Sequence, residues 1–329
     1  MEKILITGGT GYIGSHTVKE LLKNQYQPII YDNLVNGHRQ AILGGILIKG
    51  DLKDKKRLLK VLAKYQPEAV IHFAALIEVG ESVKNSEKFF QENVFAGINL
   101  LQAMIECDIK KIVFSSSAAV YGEPKKVPIK ENYTTLPTNP YGLTKLQFEQ
   151  ILKLYEKIYG LKFISLRYFN AAGADPEGEL GEDHFPETHL IPLVLKTALG
   201  QRDYIEIFGN SYPTPDGTCI RDFIHVTDLA QAHLLALEFL NKKNKSRIFN
   251  LGNEKGNSVL EIINLAKKIT QRDIPIKIGP KRPGDPTKLV ASSQRIKKEL
   301  GWRPRYSDIK TIIQTAWSWH KNHPFGYSK

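Results

Sequence analysis

Cysteine is scarce in this sequence: Cys107 and Cys219 are the only two among 329 residues, and they lie far apart. Their separation does not match a metal-ligand motif, so neither a disulfide framework nor a metal site is predicted. Long apolar runs are also lacking, since no stretch approaches the roughly 18 residues of a membrane span. Residues 1–9 lead directly into a strand-like segment, without the features of a secretory signal. We expect a cytoplasmic protein that has no membrane partner.

The excess of basic residues does not point to nucleic acid. The 46 Lys and Arg residues against 34 Asp and Glu residues give a formal net charge of +12. They lie in short clusters, such as 53–57 and 241–245, without interleaved aromatic residues or a nucleic-acid-binding module. The charge therefore predicts solubility and attraction for anionic small molecules.

The first half of the chain alternates between two patterns. Strand-like apolar runs lie at 3–7, 28–32, 45–50, 68–75, 111–117 and 163–169, and helical periodicity lies at 12–24, 54–65 and 86–107. Near-continuous apolar strands separated by helices are typical of a parallel sheet that is covered on both faces. The pattern predicts a Rossmann-type, doubly wound α/β sheet.

The alternation of predicted strands and helices ends at about residue 170. Long irregular stretches lie at 171–183 and 209–218, followed by helical patterns at 227–240, 258–270, 293–300 and 308–323 and short strands at 204–208, 247–251 and 274–278. We expect a smaller mixed α/β substrate-binding domain, with a cleft between it and the sheet. The predicted division is 1–170, with returning segments around 219–250, and 171–329.

A glycine-rich turn follows the first predicted strand. Gly8, Gly11 and Gly14 permit a tight turn and close approach of a pyrophosphate to a helix N-terminus. The second strand ends in Asp32, whose carboxylate can bind ribose hydroxyls and would repel a 2′-phosphate. These residues predict a dinucleotide site that prefers NAD to NADP.

A tyrosine followed four residues later by a lysine occurs three times, and only Tyr141 with Lys145 opens a predicted helix. Pro124 interrupts the pair at 121 and 125, and the pair at 306 and 310 lies in the tail of the chain. A tyrosine has a pKa of about 10, so a nearby lysine and the positive nicotinamide ring are needed to favour its phenolate. The phenolate can take a hydroxyl proton while hydride leaves for the nicotinamide, and Ser117 can bind the same substrate oxygen.

The glycine spacing resembles the extended short-chain dehydrogenase/reductase family, as do GDL at 50–52 and HFAA at 72–75. Further stretches resemble the UDP-glucose 4-epimerases of that family, namely TGGTGYIGSH, FSSSAAVYG, NPYGLTK, LRYFNAAGA, IFGNSYPTPDGTCIRDFIHV and RPGDP. The resemblance implies interconversion of UDP-galactose and UDP-glucose through a 4-keto intermediate, with permanently bound NAD. It also implies a homodimer formed through the helices at about 86–107 and 140–160.

The same resemblance implies the site residues. Cofactor-binding positions would be Gly8, Gly11, Tyr12, Ile13, Gly14, Asp32, Asn33, Asp51, Leu52, Phe73, Ala74, Ala75, Asn93, Ser115, Tyr141, Lys145 and Tyr168. Substrate-binding positions would be Ser117, Tyr141, Asn170, His189, Leu190, Phe208, Arg221, Arg282, Asp285 and Leu289.

Three positions depart from the enterobacterial-type pattern. Ile77 replaces a lysine that contacts the cofactor in some members, and His189 replaces an asparagine that often contacts the sugar. Leu289 occupies a gate position where a tyrosine in some members excludes N-acetylated sugars. Because leucine is shorter, the resemblance implies some activity on UDP-N-acetylglucosamine.

Other functions are compatible with parts of this pattern. Epimerases of UDP-xylose or UDP-glucuronate share nearly all these motifs. A dehydratase would need a further acid–base pair after Ser117, where the chain has Ala118, Ala119 and Val120. A decarboxylase would need a carboxylate site, which the sequence neither shows nor excludes. A catalytically silent NAD-binding protein is disfavoured because Ser117, Tyr141 and Lys145 are all present.

Overall fold

The computed structural model describes residues 1–282 and 285–327. The first half contains β1 (Lys3–Thr7), α1 (Tyr12–Lys23), β2 (Gln27–Asp32), β3 (Ile46–Lys49), α2 (Lys55–Tyr65), β4 (Ala69–His72), α3 (Val79–Lys84), α4 (Ser86–Phe90), α5 (Ala96–Glu106), β5 (Lys111–Ser117), α6 (Pro140–Tyr159) and β6 (Lys162–Tyr168). The second half contains β7 (Asn170–Ala172), α7 (Leu190–Ala198), β8 (Ile205–Phe208), β9 (Ile220–His225), α8 (Val226–Lys243), β10 (Arg247–Leu251), β11 (Gly256–Ser258), α9 (Val259–Thr270), β12 (Ile276–Gly279), β13 (Lys288–Leu289), α10 (Gln294–Leu300) and α11 (Ile309–Asn322).

Seven parallel strands form the central sheet in the order β10-β6-β5-β4-β1-β2-β3. The chain moves outward in one direction from β1 to β3 and in the other from β4 to β10. A crevice for ligands therefore opens at the C-terminal ends of β1 and β4, where the strand order reverses. This topology confirms the doubly wound α/β fold that the sequence predicts.

Alternate residues of each central strand enter two separate apolar cores, because side chains of a strand point to opposite faces. Ile4 and Ile6 pack on one face with Leu237 of α8. Leu5 packs on the other face with Leu101 of α5 and residues of α2 and α6. Both faces of the sheet are covered, which explains why its strands read as continuous apolar runs.

The second half builds smaller sheets around a third apolar core. Strands β11, β9 and β13 are neighbours, β7 pairs with β9, and β8 pairs with β12. Helices α7, α9 and α11 cover them. Residues 226–251, which are α8 and β10, return to the large sheet. Among the described residues, no helix combines the length and hydrophobicity required to cross a bilayer.

Some elements go beyond what the sequence pattern predicts. The segment 86–107 is helical but contains a wide π turn at Gln91–Phe95 between α4 and α5. Helix α7 and strand β9 are not predicted. In α7, Pro192 lies in the first turn, where its missing N–H removes no helical hydrogen bond.

Candidate active site

The glycines of the turn between β1 and α1 have two different structural reasons. Gly8 has φ +72°, and a Cβ there would lie 2.6 Å from the Ala74 nitrogen. A Cβ on Gly14 would lie 2.2 Å from the Gly8 oxygen. A Cβ on Gly11 would meet that oxygen only at 3.5 Å, which is an ordinary contact. Packing therefore explains Gly8 and Gly14, whereas Gly11 leaves space next to the N-terminus of α1.

That space fits a pyrophosphate. Gly11 is the N-cap of α1 and offers no capping side chain, and the first turn carries no acidic residue. The amides at a helix N-terminus and its positive dipole favour an anion. Tyr12 is anchored beside the turn, where its hydroxyl donates to the Gly173 oxygen at 2.6 Å, and Ile13 follows it in the first turn. The residues present fit the diphosphate of a dinucleotide.

The carboxylate at the end of β2 is fixed by the glycine turn. Asp32 accepts hydrogen bonds from the Thr10 nitrogen at 3.0 Å and from the Leu34 nitrogen at 2.9 Å. Asn33 then donates to Asp51 at 3.2 Å, which links the ends of β2 and β3. Asp32, Asn33 and Asp51 therefore lie together, as a ribose and adenine site requires. Leu52 follows Asp51 and packs its side chain into the core.

The segment after β4 is held in place by Asn93. Phe73 and Ala74 both donate to the Thr7 oxygen, at 2.9 and 3.1 Å, and Ala75 follows directly. The Asn93 amide donates to the Leu76 oxygen at 3.0 Å and to Thr144 Oγ1 at 3.1 Å, and it accepts from the Leu76 nitrogen at 2.7 Å. Because both N–H groups are used within the protein, Asn93 acts by positioning this segment and α6.

The start of α6 carries the predicted catalytic pair. Asn139 caps the helix by accepting from the Gly142 nitrogen at 2.9 Å, with Pro140 in the first turn. Tyr141 and Lys145 are both buried. Lys145 Nζ donates to the Ser115 oxygen at 2.9 Å and lies 5.8 Å from the centre of the Tyr141 ring. The structure thus brings the helix pair to the end of β5.

Burial opposes charge on both members of the pair. It lowers the pKa of Lys145 to about 7. It also raises the pKa of Tyr141 above its usual value of 10.0, and the hydrogen bond with Ser117 only partly offsets this. Lys145 by itself therefore does not produce the phenolate, and Tyr141 is a neutral phenol in the protein alone. A further positive charge is needed for Tyr141 to lose its proton near neutral pH.

The side chains of the three serines at the end of β5 alternate between the two faces of the sheet. Ser115 lies 3.1 Å from His233 Nε2, and His233 Nδ1 lies 2.8 Å from the Leu229 oxygen. Burial lowers the pKa of His233 to about 4, so the ring is neutral and its Nε2 accepts from Ser115. Tyr168 is also at this face, where burial and the nearby Tyr141 raise its pKa.

Ser116 points away from Ser115 and Ser117 and anchors the catalytic helix. It donates to Glu149 of α6 at 2.6 Å, and Glu149 pairs with Arg167 of β6 at 2.8 Å, with all three buried. Sequence reasoning missed this network. The alternation of a strand could have shown that Ser116 faces the other way, although its partners are remote in sequence.

The predicted nucleotide-binding residues form two contacts. Arg221 on β9 pairs with Asp285, and Leu289 on β13 is the strand neighbour of Arg221. The Arg282 guanidinium lies 3.6 Å from the centre of the Phe208 ring. The first contact joins two charged groups and the second places a guanidinium on an aromatic face, and such groups suit a nucleoside diphosphate.

The gate position lies close to the catalytic strand ends. Leu289 packs against a small apolar cluster that includes Ala118, next to Ser117, and Phe169, next to Tyr168. Asn170 opens β7 directly after β6 and pairs with Phe223 of β9. The predicted substrate and catalytic residues therefore approach each other at the same edge of the sheet.

His189 and Leu190 begin α7 next to a group that sequence reasoning missed. His189, Glu182, His184 and Glu187 bring their side chains together, and we refer to them as the His–Glu cluster. The carboxylates of Glu182 and Glu187 outweigh burial and raise the pKa of His184 to about 9 and that of His189 well above 6.5. The spacing in EDHFPETH, with four ligand-type residues among eight, was the available signal.

Comparisons with known proteins agree with this geometry. Residues 4–252 match the NAD dependent epimerase/dehydratase family. A UDP-glucose 4-epimerase of Halalkalibacterium halodurans is 52% identical over 325 residues, which cover 99% of this chain and 97% of that protein. The solved UDP-glucose 4-epimerase from Brucella ovis in complex with NAD is 47% identical with a TM-score of 0.94, covering 96% and 98% of the two chains. The UDP-Glc/GlcNAc 4-epimerase from Campylobacter jejuni is 39% identical with a TM-score of 0.86, covering 98% and 100%. The chain belongs to the NAD-dependent epimerase/dehydratase family.

Proposed function

We propose that this chain is a UDP-glucose 4-epimerase that interconverts UDP-galactose and UDP-glucose with tightly bound NAD. One structural observation favours epimerisation over dehydration. The turn Ala118–Tyr121 after Ser117 offers a single titratable side chain, Tyr121, whose hydroxyl is engaged with Asn250 at 2.7 Å and with Arg167 at 2.9 Å. This turn lacks the second acid–base pair that a dehydratase needs, which favours epimerisation, with proton transfer only at the oxygen on carbon 4.

The mechanism assigns each catalytic residue one task. Bound NAD supplies the hydride acceptor and donor. Tyr141 takes the proton of the sugar's 4-hydroxyl and later returns it to the 4-keto oxygen. Ser117 hydrogen-bonds that oxygen, and Lys145 contributes positive charge when it is protonated. Since burial keeps Tyr141 neutral, its proton transfer depends on the positive charge of the oxidised cofactor, which couples deprotonation to the correct redox state.

The cofactor-binding residues are assigned on the geometry of the crevice. We infer that Gly8, Gly11, Tyr12, Ile13 and Gly14 hold the pyrophosphate, that Asp32, Asn33, Asp51 and Leu52 shape the adenosine site, and that Phe73, Ala74, Ala75, Asn93, Ser115, Tyr141, Lys145 and Tyr168 form the nicotinamide end. Support comes from the space at Gly11 and from the fixed carboxylate of Asp32.

The substrate-binding residues lie at the facing edge. We infer that Arg221 and Arg282 bind the diphosphate, that Phe208 and Leu190 contact uracil, and that Asp285 binds a ribose hydroxyl. Asn170, His189 and Leu289 would line the sugar pocket. Residues 1–170, with returning segments around 219–250, would form the NAD-binding domain, and 171–329 mainly the UDP-sugar-binding domain. The cytoplasm is the proposed location.

A homodimer is proposed through α5 and α6. Leu143, Leu154 and Ile158 are spaced to share one side of α6 and are 39%, 52% and 58% exposed, and Phe95 before α5 is 55% exposed. Large apolar side chains in one patch favour burial against another copy.

Replacement of Ile158 by glutamate tests the dimer, because a charge would be buried in the proposed interface. Sedimentation analysis should show wild type as a dimer and Ile158→Glu as a monomer, while Lys157→Glu on the neighbouring side stays dimeric. A monomeric wild type, or equal behaviour of the two variants, would exclude this interface.

Tyr141→Phe tests the proton-transfer role. General acid–base groups contribute about 10²- to 10⁴-fold, so a loss of kcat in that range is expected from a coupled UDP-galactose assay. Tyr155→Phe, further along α6, is the matched control and should retain activity. Bound NAD measured in each variant separates lost chemistry from lost cofactor. Retention of full activity by Tyr141→Phe would refute the assignment.

Leu289→Tyr tests the gate. The larger ring should reduce turnover of UDP-N-acetylglucosamine by about tenfold or more, because a pocket discriminates by added bulk, while UDP-galactose is spared. Leu289→Met is the volume-matched control. Parallel kcat/KM measurements on both substrates decide the point, and an equal loss on both would rule out a gate at this position.

A further inference from the structure

The loop between β7 and α7, residues 173–189, folds four ligand-type side chains onto one another. Each member of the His–Glu cluster offers one nitrogen or oxygen atom, and these atoms all lie within 4.8 Å of one another. Glu182 and Glu187 are 4% and 3% exposed at the side chain. The two carboxylates thus have little access to water, whereas the side chains of His184 and His189 are 17% and 36% exposed.

The four distances between a histidine nitrogen and a carboxylate oxygen are close to those around a tetrahedral ion. His189 Nδ1 lies 3.0 Å from Glu182 Oε1 and 2.9 Å from Glu187 Oε1. His184 Nδ1 lies 3.3 Å from Glu182 Oε1 and 3.6 Å from Glu187 Oε2. Ligands about 2.1 Å from a tetrahedral zinc ion are about 3.4 Å apart, so these distances need little adjustment.

Two buried atoms of the cluster lie in ion pairs but form no hydrogen bond in the described part of the chain. Glu187 Oε1 accepts from the backbone nitrogens of Thr188 at 2.7 Å and His189 at 2.8 Å. Glu187 Oε2 and His184 Nδ1 are buried and form no hydrogen bond among the described residues. A buried polar atom that forms no hydrogen bond is costly, and a shared cation would satisfy both.

A second acidic group in the same loop differs from the His–Glu cluster because a lysine contacts all of its carboxylates. Asp175, Glu177 and Glu179 all contact Lys19 Nζ, at 2.7, 2.6 and 2.6 Å. Their charge is already met by an ammonium group that lies at their centre. Among the described residues, only His184 and His189 form ion pairs with Glu182 and Glu187, and no lysine or arginine does so.

We propose that Glu182, His184, Glu187 and His189 form a structural zinc site. Two carboxylates balance the charge of Zn²⁺, two imidazoles complete a closed set of four protein ligands, and no open position is required. The ion ties the loop to the first turn of α7. It also supports the cofactor side, because the His184 ring lies 6.2 Å from that of Tyr12. Coordination through Nδ1 leaves Nε2 as the one ring nitrogen of His189 that can meet a sugar.

Metal titration of the full-length, untagged protein with its own NAD tests the site. After dialysis against a chelator, we expect the wild type to take up one equivalent of Zn²⁺ in competition with a chromophoric zinc chelator. Co²⁺ should give the intense visible absorption of a tetrahedral complex, a readout independent of activity. Zn²⁺ should also raise the midpoint of thermal unfolding of the chelator-treated protein.

Variants locate the ion. His184→Gln and Glu187→Gln keep side-chain size, and each should lose stoichiometric Zn²⁺ binding and the Co²⁺ spectrum. Glu177→Gln, in the lysine-centred group, is the matched control and should bind as wild type. The proposal is overturned if wild type binds no Zn²⁺, in which case the cluster consists of His–Glu ion pairs alone. It is equally overturned if the two cluster variants still bind one equivalent with the wild-type Co²⁺ spectrum.

Discussion

The parallel pairing of β1 with β4, β4 with β5 and β5 with β6 places the ends of these strands at one edge of the sheet. Each strand end contributes a different part of the site: the glycine turn follows β1, Ser117 ends β5 and Tyr168 ends β6. Helix α6 then has to be held at the same edge for Tyr141 to reach Ser117. The buried contacts of Ser116, Glu149 and Arg167 provide that restraint from the opposite face.

Burial sets the electrostatics of this edge. It disfavours the ammonium of Lys145 and the phenolate of Tyr141, so the protein alone keeps the pair close to neutral. A buried neutral pair responds strongly to an added charge, because the surroundings screen it poorly. The oxidised nicotinamide is such a charge, and it is present when the substrate hydroxyl must lose its proton. The dependence of the Tyr141 pKa on the charge of the cofactor would couple proton transfer to hydride transfer.

The sequence predicted those features that depend on residues close together in the chain. Three glycines after a strand, an aspartate at the next strand end, and Asn139 with Pro140 at a helix start each have a short-range cause, and the structure has each in the predicted setting. Long-range contacts were not predictable in the same way. Arg167 meets Glu149 only after two elements pack, and the pKa directions of Tyr141 and Lys145 follow from burial.

The second half was harder to predict for a related reason. Helix α7 and strand β9 are short, and their partners come from β7, β13 and α11 rather than from adjacent sequence. The His–Glu cluster is local in sequence, but its members converge only because the loop turns back toward Tyr12. The family resemblance supplied the predicted substrate residues, and the structure adds how Arg221, Asp285 and Leu289 are brought together.

The central claim is that the hydrogen on carbon 4 leaves as hydride to a cofactor that the enzyme keeps and returns to the same carbon. Incubation of the purified protein with UDP-galactose in deuterated water, without added NAD, tests it directly by proton NMR. The account predicts UDP-glucose that retains its proton at carbon 4, with no deuterium from the solvent. Absence of inversion at carbon 4, or solvent deuterium at that carbon, would contradict it.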